Sequence, residues 1–397
     1  MNFVFISPHF PAHYWRFCAA LKQSGANVLG VADVQYEQLL PELKANLSDY
    51  YQVGSLQDGE AVLRALGWFT HRWGKIDWIE SNNEYWLAQD AWLREMFHVT
   101  TGPLPAQMDS YKRKSRMKAV YHQAGIKTAP IQEAETLEEA LSFADEVGYP
   151  LIAKPDVGVG ANDTFRISGE AALRAFFTRL PLRPYVLEQY VNGEICSYDA
   201  LINAAGQPLY ETGNLTLVSV MDVVNEKTES VYMIVPELAD DLRDAGRRTV
   251  EAFGVRSRLV HFEFFRLKDD QEGLGRKGDL LGLEVNMRPS GGFTPDMINY
   301  AGSVDIHRLW ADMVCHDRVW LDEHRRKFFC VFVGRQDVRA YAHSHEDILS
   351  QWGHRVMLQD RMPDALSGAM GNQVYLAQCI SRAEADDFIR YACRRQP

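Results

Sequence analysis

The sequence predicts a mixed fold of the α/β and α+β classes, arranged in three successive segments. Residues 1–105 alternate short apolar strands with helical stretches, which is the rhythm of a parallel α/β domain. Residues 106–325 carry strand patterns that suit antiparallel pairing, and residues 326–397 form a small C-terminal α+β domain. We expect the middle segment to divide into two subdomains, residues 106–184 and 185–325.

Hydrophobic periodicity and turn residues predict the individual elements. In the first segment, strands are predicted at 2–6, 27–32 and 76–80, and helices at 12–24, 59–73 and 85–97. In the middle segment, a basic helix ends at Gly125, and then come helix 136–147, strand 151–154, helix 170–179 and strands 185–191 and 194–203. In the last segment, strands are predicted at 328–333, 354–359 and 374–379, and helices at 345–352 and 382–393. The dipeptide Asn192-Gly193 lies between two strand patterns and predicts a β-hairpin.

Composition excludes several classes of function. The formal net charge is -11, which argues against nucleic acid or an anionic membrane as the main partner. The six cysteines are scattered without a CxxC pair, so we expect reduced thiols in a cytoplasmic protein and no zinc site. The N-terminus lacks the pattern of a signal peptide, and no apolar run reaches the length of a membrane span.

The first strand–helix turn tests for a dinucleotide-binding protein. It consists of residues 7–11, Ser-Pro-His-Phe-Pro, and has no glycine. The glycine-rich turn that lets a backbone approach a pyrophosphate is therefore missing. We set NAD binding aside.

Two strand patterns, 259–267 and 280–288, contain the most informative residues. If the polar loop 268–279 closes a symmetric hairpin, Glu263 lies directly opposite Glu284. Like charges in that arrangement are destabilising, so we expect a positive group between them. Because strand side chains alternate, Asn286 and Arg288 share the face of Glu284, while Val285 and Met287 face the core.

The polar face of this hairpin suits a magnesium ion. Carboxylate and amide oxygens are hard ligands, and Mg²⁺ takes the rest of its shell from water and substrate phosphates. A guanidinium beside such a metal binds phosphate or carboxylate oxygens with two hydrogen bonds. The alternative is a solvated strand face with an ordinary Glu–Arg pair.

A lysine and a glycine loop suggest where phosphates would bind. Lys154 ends an apolar strand and precedes a loop that contains Gly158 and Gly160. Glycines let backbone N–H groups approach phosphate oxygens, and the lysine adds a point charge. The alternative to a phosphate site here is an ordinary turn with a surface lysine. For the basic run 112–118, the alternative is a solvated helix face.

Taken together, these motifs resemble the ATP-grasp superfamily over residues 111–295. Lys114, eleven residues before Gly125, resembles the first nucleotide lysine, and Lys154 resembles the second. The segments on either side resemble the α/β domain and the small lid-side domain of amino-acid ligases and carboxylases. The resemblance implies a central ATP-grasp fold of two subdomains, preceded by a pre-ATP-grasp α/β domain.

The resemblance also implies roles for individual residues. Glu188, Gln189 and Val191 resemble the hinge that hydrogen-bonds adenine, and Glu194 resembles the carboxylate that takes the ribose hydroxyls. Glu263, Glu284 and Asn286 resemble the magnesium ligands, and Arg288 resembles the arginine that steadies the acyl phosphate. Apart from the resemblance, the backbone N–H groups of Ser290 and Gly291 are candidates to bind the same oxygens. Glu84 follows a strand of the first segment and is a candidate to hold a substrate ammonium, with a carboxylate at a helix N-terminus as the alternative. The implied reaction uses ATP and Mg²⁺ to activate a carboxylate as an acyl phosphate, which an amine then displaces.

Several alternatives stay open at this point. The usual Asp-Lys pair is Arg113-Lys114 here, so Lys112 competes for the first lysine role. A bicarbonate-activating carboxylase, a carbamoyl-phosphate-type enzyme and an inactive ATP-binding regulator are the alternative functions. The expected partners are a small-molecule carboxylate and an amine. Two further points stay open: whether Mn²⁺ can replace Mg²⁺, and whether the protein forms a homodimer.

Overall fold

The computed structural model describes residues 1–158, 163–179, 183–218, 223 and 226–396. In the N-terminal segment the strands are β1 (Asn2–Ile6), β2 (Asn27–Ala32), β3 (Asp49–Gln52) and β4 (Trp78–Glu80). The helices there are α1 (Trp15–Gln23), α2 (Pro41–Asn46), α3 (Gly59–Trp73) and α4 (Leu87–Met96). The four strands form a parallel sheet in the order β3-β2-β1-β4, as the sequence predicts for this segment. The sequence did not indicate β3 and α2.

The parallel sheet is buried on both faces. Phe3 and Phe5 of β1 pack on one side against Trp310, while Val4 and Ile6 contribute to the core on the other side. Burial on both faces is usual for parallel sheets, because helices cover each side. Trp310 belongs to a helix that follows the predicted magnesium hairpin, so this core joins the N-terminal domain to the rest of the chain.

The next segment contains a small antiparallel sheet. Its helices are α5 (Met108–Lys112), α6 (Lys114–Gln123), α7 (Leu137–Val147) and α8 (Glu170–Thr178). Its strands are β5 (Ile131–Glu133), β6 (Leu151–Pro155), β7 (Phe165–Ile167) and β8 (Tyr185–Gln189), in the order β5-β8-β6-β7. The predicted basic helix is broken at Arg113 into α5 and α6, and Gly125 ends it with a φ of +68°, which favours glycine.

The remaining strands form a nine-stranded sheet. They are β9 (Gly193–Ile202), β10 (Pro208–Thr212), β11 (Asn214–Thr216), β12 (Ser230–Ile234), β13 (Arg258–Leu267), β14 (Leu280–Asn286), β15 (Phe329–Arg335), β16 (Val356–Arg361) and β17 (Gln373–Cys379). The order is β14-β13-β9-β11-β12-β15-β17-β16, and β10 pairs with β9. The helices are α9 (Asp240–Ala252), α10 (Thr294–Gly302), α11 (Ile306–His316), α12 (His345–Trp352), α13 (Asp364–Met370) and α14 (Arg382–Cys393).

The pairing of β8 contradicts the predicted hairpin at Asn192-Gly193. β8 pairs with β5 and β6, whereas β9 pairs with β13 along ten residues. The residues between β8 and β9 therefore connect two different sheets. The sheet of the first subdomain thus includes β8. The predicted boundary between residues 184 and 185 instead places β8 in the second subdomain.

The C-terminal elements match their predicted positions closely. Helices α12 and α14 have the predicted bounds, and α3 does as well. β15 pairs with β12, so the predicted domain 326–397 extends the same sheet that carries the hairpin. Among the described residues, no helix is long and apolar enough to cross a lipid bilayer.

Candidate active site

The hairpin of β13 and β14 has the predicted register at the two glutamates, but not next to its loop, where Arg266 pairs with Leu280. Glu263 pairs directly with Glu284, and the neighbouring pair is His261 with Asn286. The register shifts just beyond this point, because Phe264 pairs with Gly282 and leaves Leu283 as an extra residue. The prediction that the two glutamates face each other across the strands is confirmed.

The polar row predicted along β14 is also present. Asn286 is buried, and its Oδ1 accepts a hydrogen bond of 3.1 Å from Nη2 of Arg288. Val285 and Met287 point to the other face and are buried in the core. The strand alternation therefore places an amide and a guanidinium beside the paired carboxylates, as the sequence predicts.

His261 is a fourth charged group on this face, and the sequence interpretation missed it. Its Nδ1 lies 2.8 Å from Oδ1 of Asp199, and its Nε2 lies 3.4 Å from Oε1 of Glu263. Burial acts to lower the pKa of His261, but the two carboxylates outweigh it and raise the pKa to about 10. Burial likewise acts to raise the pKa of Glu263, yet the positive groups around it, His261 foremost, lower it. Both residues are therefore charged near neutral pH.

Lys114 lies at the first position of α6 and reaches the hairpin. Its Nζ is 3.0 Å from Oε1 of Glu284 and donates to the carbonyl of Gly158 at 3.2 Å. Lys112 instead donates to the backbone carbonyl of Glu84 at 3.1 Å. These contacts favour Lys114 over Lys112 as the first nucleotide lysine. Gly158 is thus beside the site, while Gly160 lies outside the described residues.

Asp156 explains why an arginine can precede this lysine. Its Oδ1 accepts from the backbone N–H of Ser115 at 2.8 Å, and its carbonyl accepts from the N–H of Lys114 at 2.9 Å. Arg113 pairs with the other carboxylate oxygen at 2.8 Å. A residue of the loop after β6 therefore satisfies the first N–H groups of α6, which a capping side chain of the helix itself would otherwise do.

Glu188 is held by two lysines. Its Oε2 lies 2.5 Å from Nζ of Lys154, and its Oε1 lies 2.6 Å from Nζ of Lys118. All three side chains are buried. Burial acts to raise the pKa of Glu188, but the two ammonium groups hold it at about 2. The sequence interpretation gave Lys118 no role and kept a solvated helix face as the alternative for its charge run, although its position four residues after Lys114 places both on one helix face.

The predicted adenine hinge lies where the chain passes between the two sheets. Gln189 ends β8 and donates through its side chain to the carbonyl of Val147 at 3.3 Å, and Val191 is buried. Glu194 is exposed at the start of β9, where it pairs in register with Arg266. No contact in the described part of the chain joins Glu194 to the lysine cluster. The adenine and ribose roles therefore remain predictions.

The substrate residues predicted from the N-terminal domain and the loop after β14 lie around the same centre. Glu84 is buried, and its Oε2 has no hydrogen-bond partner among the described residues. Burial raises the pKa of Glu84, and the charge of Arg288 acts to lower it. Ser290 lines a small, mainly apolar cavity together with Asp199, and the next residue, Gly291, is exposed.

The residues present fit a magnesium ion in part. Glu263, Glu284 and Asn286 offer two carboxylates and an amide oxygen on adjacent, paired positions. Within the described ranges, no group of three or more His, Cys, Asp or Glu side chains is arranged to hold a metal by itself. A partial protein shell of oxygen ligands is the pattern by which Mg²⁺ is usually held beside substrate phosphates.

Comparison with solved structures identifies the fold. An L-amino acid ligase from Bacillus licheniformis superposes with a TM-score of 0.70 at 17% identity, covering 98% of this chain and 96% of that one. The chain has the ATP-grasp fold. The biotin carboxylase domain of Hydrogenobacter thermophilus 2-oxoglutarate carboxylase, solved with MgADP, ADP and bicarbonate, also superposes with a TM-score of 0.70, at 16% identity, covering 98% of this chain and 88% of that one.

Sequence comparisons agree with this ATP-grasp assignment. Residues 113–179 match the family model described as the ATP-binding domain of the carbamoyl-phosphate synthase L chain. The alanine–anticapsin ligase of Bacillus subtilis is 24% identical over 289 residues, which are 64% of this chain and 56% of that protein. The chain therefore spans about half the length of this relative. The family match includes Lys114, Lys118 and Lys154.

Proposed function

We propose that this protein is an ATP-dependent ligase that joins a carboxylate to an amine. The carboxylate oxygen attacks the γ-phosphorus of ATP, the bond to the bridging oxygen breaks, and ADP leaves. The amine nitrogen then attacks the carbonyl carbon of the acyl phosphate, loses a proton, and phosphate leaves. We expect an amino acid or a peptide-like molecule as substrate, because the similar proteins include an L-amino acid ligase and an alanine–anticapsin ligase.

One observation carries this proposal: Glu263 faces Glu284 directly, with Asn286 and Arg288 on the same face. Opposed carboxylates are destabilising unless a positive group compensates them. A solvated strand face would not bury Asn286 or bring Lys114 onto Glu284 from another subdomain. The arrangement is therefore better explained by binding than by chance alternation.

The first step requires positioning and charge neutralisation rather than a protein nucleophile. A bound Mg²⁺ would neutralise charge on the phosphate oxygens that flank the breaking bond. Glu263, Glu284 and Asn286 would hold it. Lys114 and Lys154 would bind the phosphates, and Gly158 would let the backbone of its loop approach them.

The second step requires a site for the carboxylate and the amine. The guanidinium of Arg288 would bind the carboxylate and then the oxygen that becomes negative during attack. The backbone of Ser290 and Gly291 borders the same position and could donate to that oxygen. Glu84 would hold a substrate ammonium, since its Oε2 is buried without a partner among the described residues.

A bicarbonate-activating or carbamoyl-phosphate-type reaction is the second candidate. The family model matched by residues 113–179 and the biotin carboxylase domain similar in fold favour it. The amino-acid ligases among the similar proteins favour the first candidate. An inactive regulator is disfavoured, because its function would not call for opposed glutamates.

Phosphate release measured against a panel of carboxylates and amines, with bicarbonate and ammonia included, distinguishes these functions. We expect ATP turnover to depend on both a carboxylate and an amine, with amino acids as the best substrates. Turnover with bicarbonate alone would support the second candidate. Lack of turnover with every pair, despite ATP binding, would support the inactive regulator.

Variants of the hairpin test the site itself. We expect Glu284→Gln and Arg288→Ala each to lower kcat/KM by roughly 10³-fold, the magnitude typical for removing one stabilising group of a transition state. Glu272→Gln is the matched control, because Glu272 is exposed in the loop of the same hairpin. Ligation that survives in either site variant at the rate of the control would contradict the assignment.

The remaining features of the proposal concern metal, assembly and compartment. We expect Mg²⁺ to support activity and Mn²⁺ to replace it. A homodimer is compatible with the biotin carboxylase domain dimer, and light scattering of the purified protein tests it. All six cysteines are free thiols, which supports a reducing compartment such as the cytoplasm.

A further inference from the structure

Each of the three residues proposed to bind the metal contacts a cationic side chain of the chain itself. The pairs are Glu284 with Lys114 at 3.0 Å, Asn286 with Arg288 at 3.1 Å, and Glu263 with His261 at 3.4 Å. The hairpin therefore contains the positive charge that its opposed carboxylates require. That charge comes from the protein.

The contact between Lys114 and Glu284 competes with metal binding at that carboxylate. Mg²⁺ binds oxygen at about 2.0–2.1 Å and prefers octahedral geometry. An ammonium group 3.0 Å from Oε1 of Glu284 takes up part of the negative charge of this carboxylate and repels a divalent cation nearby. The side chain of Lys114 is 6% exposed and that of Glu284 is 16% exposed, so water screens this repulsion weakly.

The position of Lys114 also gives it a second place to bind. Its Nζ donates to the carbonyl of Gly158, in the loop proposed to contact phosphates. The ammonium therefore lies between the metal ligands and the phosphate loop. Nucleotide phosphates would offer several anionic oxygens in place of one carboxylate oxygen.

We propose that Lys114 acts as a metal surrogate on Glu284 and leaves it when nucleotide phosphates bind, so that the divalent cation and the nucleotide bind as a coupled pair. This inference rests on the proposed ATP–metal site and assigns Lys114 a role in the order of binding. Coupling of this kind is reciprocal: the metal strengthens nucleotide binding by the same factor by which the nucleotide strengthens metal binding. Lys114 is here a positioning residue for the metal.

Binding of Mn²⁺ alone to the full-length protein tests the proposal directly. Electron paramagnetic resonance counts free Mn²⁺, so the bound fraction can be titrated without nucleotide. We expect weak binding by the wild type and at least tenfold tighter binding by Lys114→Met, because Glu284 loses its competing cation. Lys114→Arg keeps the charge and should bind Mn²⁺ as weakly as the wild type.

Two further variants identify the cause of any change. Lys112→Met removes the same charge from a lysine that contacts the backbone carbonyl of Glu84, and we expect its Mn²⁺ affinity to stay within about twofold of the wild type. Adding Glu284→Gln to Lys114→Met should abolish the gained binding. Unchanged Mn²⁺ affinity in Lys114→Met, or an equal gain in Lys112→Met, would overturn the proposal.

A melting experiment separates this inference from the proposed function. ADP should raise the melting temperature of the wild type strongly with Mg²⁺ and weakly with EDTA, through ligand linkage. In Lys114→Met, Mg²⁺ without ADP should raise the melting temperature more than it does in the wild type, since Glu284 has lost its competing cation. An ADP shift that EDTA leaves unchanged in the wild type would contradict the metal site itself. A normal Mg²⁺-dependent shift with no change in the variant would contradict only the role of Lys114.

Discussion

Replacing Lys118 with methionine tests whether the buried lysine–glutamate cluster stabilises the fold. The side chains of Lys118 and Glu188 are each 4% exposed, and their charged atoms lie 2.6 Å apart. Methionine is similar in length and uncharged, so the change removes the ammonium without opening a large cavity. Among the described contacts, Glu188 then keeps Lys154 as its cationic partner.

The expected magnitude follows from the pKa of Glu188. Burial acts to raise this pKa, and the two ammonium groups instead lower it from 4.5 to about 2. This difference corresponds to about 3 kcal/mol of stability. Lys118 also donates to the carbonyls of Gly282 at 3.2 Å and Leu283 at 3.3 Å, and these contacts are lost too. Because Lys154 shares this effect and remains beside Glu188, we expect a smaller loss of about 1–3 kcal/mol, the range for leaving buried polar groups without a partner.

Urea unfolding at several pH values measures this loss. A carboxylate with a lowered pKa contributes stability that is present above its unfolded pKa and is lost as the pH falls through the folded pKa. For Glu188 the wild type should therefore lose this stability between pH 4.5 and about 2. Removing one ammonium raises the pKa of Glu188 in the folded state, so in the variant the loss should be smaller and should end at a higher pH.

Lys75→Met is the matched control, because Lys75 is exposed. We expect it to change the free energy of unfolding by no more than about 0.5 kcal/mol. If Lys118→Met changes that free energy no more than this control at pH 7, the cluster does not stabilise the fold and the reasoning is wrong.

Three further variants test other buried groups. Burial and the charge of Glu80 raise the pKa of Asp90 to about 7. In urea unfolding, the wild type should therefore lose stability relative to Asp90→Asn as the pH rises from about 4 to about 7. Gly246→Ala would place a methyl group 2.2 Å from the ring of Tyr198, and we expect a loss of about 1–3 kcal/mol, measured as a lower melting temperature. Arg258→Met removes the buried partner 3.1 Å from Glu80 and should cost about 3–5 kcal/mol in urea unfolding.

Each of these three predictions has an outcome that would contradict it. A pH profile of Asp90→Asn parallel to the wild type would show that Asp90 titrates normally. Gly67→Ala, on an open face of α3, is the control for the glycine change and should be neutral or stabilising. If Gly246→Ala behaves like this control, the packing against Tyr198 is loose. If Arg258→Met is as stable as the wild type, Glu80 does not require the guanidinium of Arg258.

The hairpin was predictable because its structure depends on local rules. Alternation of side chains placed Val285 and Met287 in the core and Asn286 on the opposite face. The length of the loop predicts the pairing of Glu263 with Glu284, although the strands next to the loop are one residue out of that register and the extra residue Leu283 restores it. The helices of the C-terminal segment were predictable for the same reason. Their apolar periodicity and their serine N-caps are contained in a few neighbouring residues.

The wrong hairpin at Asn192-Gly193 shows the limit of local rules. The dipeptide favours a tight turn, but the pairing of β8 depends on partners elsewhere in the chain. β8 pairs with β5 and β6, and β9 pairs with β13. A turn preference of about 1 kcal/mol or less cannot compete with full strand pairing on both sides.

By itself, the sequence determined the fold class, the register of the glutamate hairpin and the set of polar side chains on its face, because strand alternation and helix periodicity are local. Only the tertiary structure decided which charges are buried together. It brought Lys114 from α6 onto Glu284, placed Lys118 on Glu188, and set His261 between two carboxylates. The charge run 112–118 is the same in sequence whether its face is solvated or buried. The elements that pack against this helix face decide whether its charges are buried. Burial strengthens the contacts, because water screens charges less in the interior.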